Sequence, residues 1–274
     1  MKCKQIAMLL LTAALLFSCQ KEIQKQNDQE FLISKKQPEE KTNTFYGPQV
    51  KVGAGHVRSF IIINHNGEPV ELGVEMTRSS MEDLPEAPHE AMIEHPFTYW
   101  LPLHPKAKQF TPYQHIELNW QPIGHPPFFF APPHFDIHFY TISKDVQMSI
   151  PQPTPSNIHL FGPPSPGYLP EDYIIPGAPI AQMGRHWLDR TSPVLSPPFI
   201  FQHIMIYGTF DGKVVFLEPM VTRNFLLSNT ETHVPIKQPA IYDPNQNYYP
   251  TMYNIYSEGN KEKIYVSLSH FVLR

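Results

Sequence analysis

The chain has 274 residues, a formal net charge of −4, 12% aromatic residues, 31 prolines and two cysteines. The net negative charge, with no basic stripe and no RNA-binding motif, argues against nucleic acid as a partner. Recurrent proline excludes long helices because it removes a backbone donor and clashes with the preceding turn, while the aromatic content demands a folded core.

The first nineteen residues have the pattern of a lipoprotein export signal. Lys2 and Lys4 precede an apolar run over residues 6–17, which is too short to span a bilayer because a span needs about 20 apolar residues. The run ends in Leu16-Phe17-Ser18-Cys19, which resembles the bacterial lipobox apart from Phe17 at its second position. The resemblance implies diacylglycerol on the Cys19 sulfur, cleavage before Cys19, and acylation of the new amine by a fatty acid such as palmitate. The alternative is an ordinary secretory signal that happens to hold a cysteine.

A polar tether and one folded domain are predicted to follow the signal peptide at residues 1–18. Residues 19–45 are rich in Gln, Lys and Glu, which is typical of a linker, and residues 46–274 are assigned to a single β-rich domain. We expect the lipid to hold the chain in the cell envelope, with the membrane as its partner. Gln20 rather than Asp follows Cys19, which by analogy with Gram-negative sorting favours the outer membrane.

Two hairpins are indicated by turn dipeptides between β-rich segments. Residues 59–64 and 70–76 flank a turn that contains Asn66-Gly67, and residues 199–210 and 213–217 flank Asp211-Gly212. Both dipeptides tolerate the positive φ angles that tight turns need. The sequence therefore predicts an antiparallel arrangement at these two places.

Further strands are predicted at residues 113–118, 134–140 and 263–273, with a short helix near residues 222–227. Residues 151–198 hold twelve prolines and are predicted to be almost entirely loop. The fold class expected from these elements is mainly β, an antiparallel sandwich or barrel with long proline-rich loops and few short helices.

Histidine is the most unusual residue, with 14 copies, ten of them between His89 and His203. The strongest cluster is His134, Asp136 and His138, whose alternation with apolar residues places all three on one face of a strand. Neighbours two apart on that face lie about 7 Å from each other, so they can share an ion, whereas His134 and His138 need local bending to do so. The mature chain keeps no free thiol, because Cys3 leaves with the signal and Cys19 is acylated.

Two loop histidines, His125 and His186, are further candidate ligands or orienting residues for such a site. Imidazole and carboxylate groups suit a divalent ion such as zinc, iron, copper or manganese. Glu218 is an available carboxylate, although a structural role as a hydrogen-bond acceptor suits it better than metal ligation. A three-histidine or two-histidine-plus-carboxylate set with an open position is typical of catalytic metal sites.

Other interpretations of the histidines stay open. Asp136 can orient two imidazoles in a polar hydrogen-bonded ladder without metal, or the polar face can be exposed. No nucleophile elbow or phosphate-binding loop is present, so whether the chain is an enzyme is undecided and no catalytic residue is predicted. The hypotheses are a metal-binding envelope protein, a metal-dependent small-molecule hydrolase or oxidoreductase, and a non-catalytic structural or oligomeric envelope protein.

Four segments carry a resemblance to a known family: Pro122–His125, Pro133–Tyr140 (PHFDIHFY), Met183–Trp187, and Tyr207-Gly208 with Glu218–Met220. Together they resemble a family of bacterial secreted proteins of unknown function that includes a ring-forming protein of a thermophile under envelope-stress-type control. The resemblance covers roughly residues 45–227. It implies a β-rich domain able to form a homo-oligomer, and it supplies no activity, substrate or metal.

Overall fold

The two hairpins form where the turn dipeptides predict them. The computed structural model describes residues 41–86, 97–244 and 246–274. Gly67, Asp211 and Gly212 have φ angles of 84°, 48° and 75°, the left-handed values that tight turns require. The strands that flank these turns pair in antiparallel fashion.

Seven strands of the described chain form sheet 1, with the order β1-β3-β4-β14-β13-β12 and β2 beside β3. Their bounds are β1 Thr42–Tyr46, β2 Val50–Val52, β3 Gly55–Asn64, β4 Pro69–Thr77, β12 Thr232–Pro235, β13 Tyr248–Ser257 and β14 Lys263–Leu273. All the pairings in this sheet are antiparallel.

Seven other strands form sheet 2, with the order β5-β6-β7-β11-β10-β9-β8. Their bounds are β5 Phe97–Pro102, β6 His115–Gln121, β7 His134–Tyr140, β8 Tyr173–Ile174, β9 Arg185–Asp189, β10 His203–Phe210 and β11 Lys213–Thr222. The neighbours in this sheet are also antiparallel.

The two sheets share one hydrophobic core, in which side chains such as Ile61 and Leu72 of sheet 1 join Phe135, Ile137 and Phe139 of sheet 2. The predicted mainly β fold is confirmed, and of the two alternatives the structure shows packed antiparallel sheets rather than a closed barrel. Residues Thr42–Arg274 form one compact unit. The opposite face of sheet 2 carries two smaller apolar clusters, which include Phe130 and Met183 from the covering loops.

Helices are short, as the proline content predicts. They are α1 Pro105–Phe110, α2 Lys144–Met148 and α3 Arg223–Leu227, with single 3₁₀ turns at Arg78–Met81, Phe128–Phe130, Ile158–Phe161 and Pro193–Leu195. The side chain of Thr222 accepts a hydrogen bond from the Phe225 amide and so caps α3, the helix expected near residues 222–227. Among the described helices, none is long and apolar enough to cross a membrane.

Two segments that the sequence assigned to loop or tether contain strands in the structure. The stretch 151–198, predicted as almost all loop, contains β8 and β9, because β9 gains its backbone partners from β10 rather than from local pattern. Strand pairing also begins at Thr42, within the segment assigned to the tether. The predicted signal peptide, Cys19 and residues 20–40 lie outside the described residues.

Candidate metal centre

Strand β7 is buried on both faces, which its alternating sequence does not show on its own. Phe135, Ile137 and Phe139 enter the shared core, while His134 and Asp136 on the other face are 0% and 3% exposed. That second face lies beneath loops instead of solvent. A row of imidazole and carboxylate groups is therefore held in a desolvated environment, where unpaired polar groups are costly.

Strand register places two glutamates beside His138. Glu117 of β6 is paired with His138 directly, and β11 pairs with β7 on both sides of Glu218, through Leu217–Phe139 and Met220–Asp136. The Glu117 carboxylate accepts a 2.6 Å hydrogen bond from Gln147 Nε2, and the Gln147 amide oxygen lies 2.6 Å from His115 Nε2. Glu117 thus has a protein partner of its own, whereas Glu218 points towards two imidazoles.

Three side chains, His125, His134 and Asp136, form what we call group 1. His134 Nε2 lies 3.0 Å from Asp136 Oδ1, and His125 Nε2 lies 3.7 Å from Asp136 Oδ2. The 3.0 Å contact lacks hydrogen-bond geometry, and neither His134 Nε2 nor Asp136 Oδ1 has a hydrogen-bond partner among the described residues. The two atoms therefore lie at ion-pair distance without the alignment of a hydrogen bond.

Backbone carbonyls fix the orientation of both group 1 imidazoles. His125 Nδ1 lies 2.7 Å from the Pro126 carbonyl oxygen, and His134 Nδ1 lies 2.6 Å from that of Pro132. Because a carbonyl oxygen only accepts, Nδ1 must carry a proton, so Nε2 is the ring nitrogen that each imidazole turns towards Asp136. A hydrogen bond of this kind, from the other ring nitrogen to a carbonyl, is what orients metal-binding histidines.

Three more side chains, His138, His186 and Glu218, form group 2. His138 Nε2 is 3.4 Å from Glu218 Oε1, and His186 Nε2 is 3.5 Å from Glu218 Oε2. Glu218 is 2% exposed, and its Oε2 has no hydrogen-bond partner in the described part of the chain. The ring of Phe216 packs against both imidazoles and keeps them in place, with centroid distances of 4.8 and 5.2 Å.

The separations within both groups match those of ligands that share one ion. Ligand atoms at about 2.05 Å from a tetrahedral centre lie about 3.4 Å apart, and an octahedral right angle brings them to about 3.0 Å. The four separations are 3.0, 3.7, 3.4 and 3.5 Å, and all candidate ligand atoms in a group lie within 4.8 Å of one another. Each group could therefore hold one metal ion.

The two carboxylates respond to burial in opposite ways. Burial alone would raise the pKa of Asp136, but the imidazoles of His134 and His125 hold that pKa well below its ordinary value. For Glu218, burial raises the pKa well above its ordinary value, and the carboxylates of Asp136 and Glu117 add to the rise. No lysine or arginine of the described residues forms an ion pair with either carboxylate. A bound cation would supply the missing counter-charge.

Both groups border one pocket of about 330 Å³, which lies within the usual size range of ligand sites. Its polar lining consists of His125, Asp136, His138, His186, Glu218 and Gln121. The walls are apolar and come from the strands and from the covering loops 126–130 and 176–183. Arg185 holds the second loop by donating to the carbonyls of Phe161 and Gly177, at 2.9 and 3.2 Å.

All five histidine and aspartate candidates lie at this pocket or directly beneath it, but they divide into two groups. His134 and His138 are four residues apart on an extended strand, which separates their Cα atoms by about 13 Å and prevents them from sharing an ion. Glu218, which the sequence analysis judged better suited to a structural role, completes group 2. The sequence signal for it was weak: a single acidic residue within an otherwise apolar stretch.

The fold and the site define a β-rich protein with two groups of side chains that could each hold a metal ion beside a common pocket. Residues 64–120 match a family model described as TTHB210-like: Hypothetical protein TTHB210. No curated protein and no solved structure matches the chain.

The family description names no activity, which is consistent with the uncharacterised family indicated by the sequence. The matched segment covers 57 of 274 residues and ends before Pro122. It therefore includes neither group 1 nor group 2, and the motif segments that carry the resemblance lie outside it.

Proposed function

We propose that this chain is a lipid-anchored protein of the bacterial envelope whose β-rich domain binds two divalent metal ions, one in each group. The observation that carries the metal proposal is the pair of two-histidine-one-carboxylate sets, each with a buried carboxylate and ligand separations of 3.0 to 3.7 Å. Zinc and iron(II) are the cations that such a donor set favours. The absence of a free thiol from the mature chain leaves imidazole and carboxylate as its strong ligands.

Metal content per chain tests this proposal. The full chain is purified with a histidine-free affinity tag, in detergent where it is membrane-bound, and analysed by inductively coupled plasma mass spectrometry. We expect two ions in the wild type and one in each of His125→Ala and His186→Ala, which remove the least buried histidine of each group. His159→Ala is the matched control, because His159 is exposed and outside both groups, and it should keep two ions. Equal, negligible metal in all four proteins would refute the proposal.

The envelope location rests on the lipobox-like sequence Leu16-Phe17-Ser18-Cys19 and the polar segment after it. In a Gram-negative host fed radiolabelled palmitate, the wild-type chain should be labelled and should fractionate with the outer membrane. Cys19→Ala should lose both properties. Cys3→Ala is the control, since Cys3 lies in the predicted signal and has no role in anchoring. Labelled, membrane-bound Cys19→Ala protein would contradict the anchor.

The pocket favours a second candidate function, a metal-dependent hydrolase that acts on a small molecule. An ion with three protein ligands can bind a water molecule in the open position and lower its pKa towards neutrality. His138, His186 and Glu218 would hold the ion, which would supply Lewis-acid activation of water for the hydrolysis of an ester to a carboxylic acid and an alcohol. Release of nitrophenol from nitrophenyl esters should require metal and should be lost in His186→Ala; a rate unaffected by metal removal would exclude this function.

A further inference from the structure

Two loops at the edge of the metal pocket expose large apolar side chains, which together we call the aromatic patch. Its members Phe128, Phe199 and Ile200 are 68%, 37% and 59% exposed. The rings of Phe128 and Phe199 contact each other, with centroids 5.2 Å apart, so the two loops present one continuous surface. Exposed prolines extend this surface: Pro126, Pro132, Pro133, Pro193, Pro197 and Pro198. A contiguous exposed apolar surface of this kind is typical of a site that contacts a protein or a membrane.

Buried rings hold the exposed ones in place. Phe129 lies between Phe128 and Phe130, at centroid distances of 5.4 and 4.7 Å, and Phe130 packs on Phe201 at 5.0 Å. Phe130 and Phe201 belong to a buried apolar cluster. Phe199 has a φ angle of 57°, a left-handed conformation that is costly for a bulky residue and that the surrounding structure must maintain. The patch is therefore a built feature of the fold.

The aromatic patch lies on two segments without charge. Residues 126–133 and 191–202 contain no Lys, Arg, Asp or Glu, although such residues make up 17% of the chain. Interfaces between proteins usually have a polar rim, whereas the interior of a bilayer disfavours charged side chains strongly. Phenylalanine and aliphatic side chains are also those that enter the boundary between lipid headgroups and acyl chains. The chemistry of the patch thus favours a lipid surface over a protein partner.

The predicted anchor brings the patch within reach of a bilayer. Residues 20–41 connect Cys19 to β1, which begins at Thr42. These 22 residues can extend over roughly 75 Å, whereas a compact unit of the size of Thr42–Arg274 is only about 45 Å across. The length of this segment therefore allows any face of the domain, including the patch, to touch the membrane that holds the lipid.

We propose that the aromatic patch is a membrane-contact surface, whose Phe128, Phe199 and Ile200 side chains insert into the bilayer. This inference rests on the proposed envelope location. Because the patch has no charge, insertion should require no anionic lipid and should not weaken at high salt. Pro127 and Phe130 of the first loop also line the metal pocket, so insertion would hold that pocket close to the lipid surface.

A single-cysteine label tests the insertion, because residues 20–274 contain no cysteine. The full chain is produced with its lipid as Phe128→Cys, reconstituted into phosphatidylcholine vesicles and labelled with a nitrobenzoxadiazole fluorophore. Its emission should shift to the blue and should be quenched by lipids brominated on their acyl chains, equally at low and at high salt. Ile158→Cys is the matched control and should show neither effect, because Ile158 is 44% exposed and lies outside the patch. Equal quenching of the two labels, or none at residue 128, would overturn the proposal.

Vesicle binding by the chain without its lipid separates the patch from the anchor. The chain from Gln20 onward contains the whole compact unit Thr42–Arg274 and should sediment with phosphatidylcholine vesicles. Phe128→Asp/Ile200→Asp should lower the partition coefficient at least tenfold. Val146→Asp/Ile158→Asp should leave it unchanged, since these two residues are 48% and 44% exposed outside the patch.

Two results of this second experiment would refute the membrane contact. One is equal vesicle binding, or none, by the wild type and both double variants. The other is a wild type that light scattering shows to be an oligomer without lipid, while Phe128→Asp/Ile200→Asp is a monomer that binds vesicles as the wild type does. The patch would then be a contact between copies of this chain. Because this protein carries no lipid, neither result bears on the anchor, which palmitate labelling tests separately.

Discussion

Gly208 permits the geometry of group 2, so we expect its replacement by alanine to weaken metal binding by that group. Gly208 lies on β10 opposite both His186 of β9 and Phe216 of β11. A Cβ atom at this position would lie 2.0 Å from Cζ and 2.1 Å from Cε1 of the Phe216 ring. The ring thus occupies the space that a side chain at position 208 would need.

The size of the effect follows from that overlap. Non-bonded carbon atoms prefer about 3.5–4.0 Å, so the Phe216 ring must move by roughly 1.5 Å. It cannot swing freely, because it is fully buried and packs on Tyr140 as well as on the two group 2 imidazoles. Overpacking of this kind costs about 1–3 kcal/mol, and metal ligands tolerate shifts of only about 0.2 Å. Gly208→Ala should therefore lower the stability and weaken group 2 metal binding by at least tenfold.

Cobalt titration and urea unfolding of the metal-free protein measure the two effects. Gly73→Ala is the matched control: its Cβ would lie 2.6 Å from Ser267 Cβ and from the Val266 oxygen, but in sheet 1, away from both groups. It should be destabilised while it still binds two cobalt ions. The double variant Gly208→Ala/Phe216→Leu removes the clashing ring and should recover part of the group 2 affinity. Gly208→Ala protein that binds two cobalt ions with wild-type affinity would refute this reasoning.

Two further predictions concern stability. Phe135 is fully buried and its ring lies 4.7 Å from that of Trp120. Phe135→Ala should therefore lower the free energy of unfolding by about 3–5 kcal/mol in urea titrations. A loss below about 1 kcal/mol would mean that the core-facing side chains of β7 do not anchor the strand. Burial alone would raise the pKa of Glu75, but hydrogen bonds from Arg58 and Lys263 lower it below its ordinary value of 4.5. A carboxyl with a lowered folded-state pKa stabilises the fold above its unfolded pKa and loses that contribution as the pH falls through the folded pKa. Glu75→Gln should therefore be less stable than the wild type at pH 7, and the difference should shrink below about pH 4.5. If the stability difference between Glu75→Gln and the wild type stays constant with pH, the charge of Glu75 does not contribute to the stability.

The sequence predicts the strands whose own pattern is strong. Alternation over residues 134–140 and 263–273 and the turns at Asn66-Gly67 and Asp211-Gly212 correspond to β7, β14 and the two hairpins. It does not predict β13, Tyr248–Ser257, because Pro250 and four tyrosines obscure the alternation there. Such strands are formed by their partners: β13 pairs along most of its length with β14, which is itself strongly patterned.

The candidate site was predictable in composition but not in arrangement. Spacing along β7 correctly places His134, Asp136 and His138 on one face, since that depends only on the twofold period of a strand. The division into two groups depends on long-range register, which brings Glu218 of β11 beside His138, and on where the loops carry His125 and His186. Nothing local in the sequence encodes either of these positions.

The proline content, which first excluded long helices, also accounts for how a polar sheet face can be buried. A loop that covers this face turns part of its backbone towards it, and every N–H that is buried there needs a partner. Proline contributes a carbonyl acceptor without a donor, so it adds no N–H to satisfy. The imidazoles beneath need acceptors for their Nδ1 protons, and the carbonyls of Pro126 and Pro132 provide them at 2.7 and 2.6 Å. Proline in these loops thus supplies acceptors to the imidazoles beneath, and the same hydrogen bonds turn Nε2 of each group 1 imidazole towards Asp136.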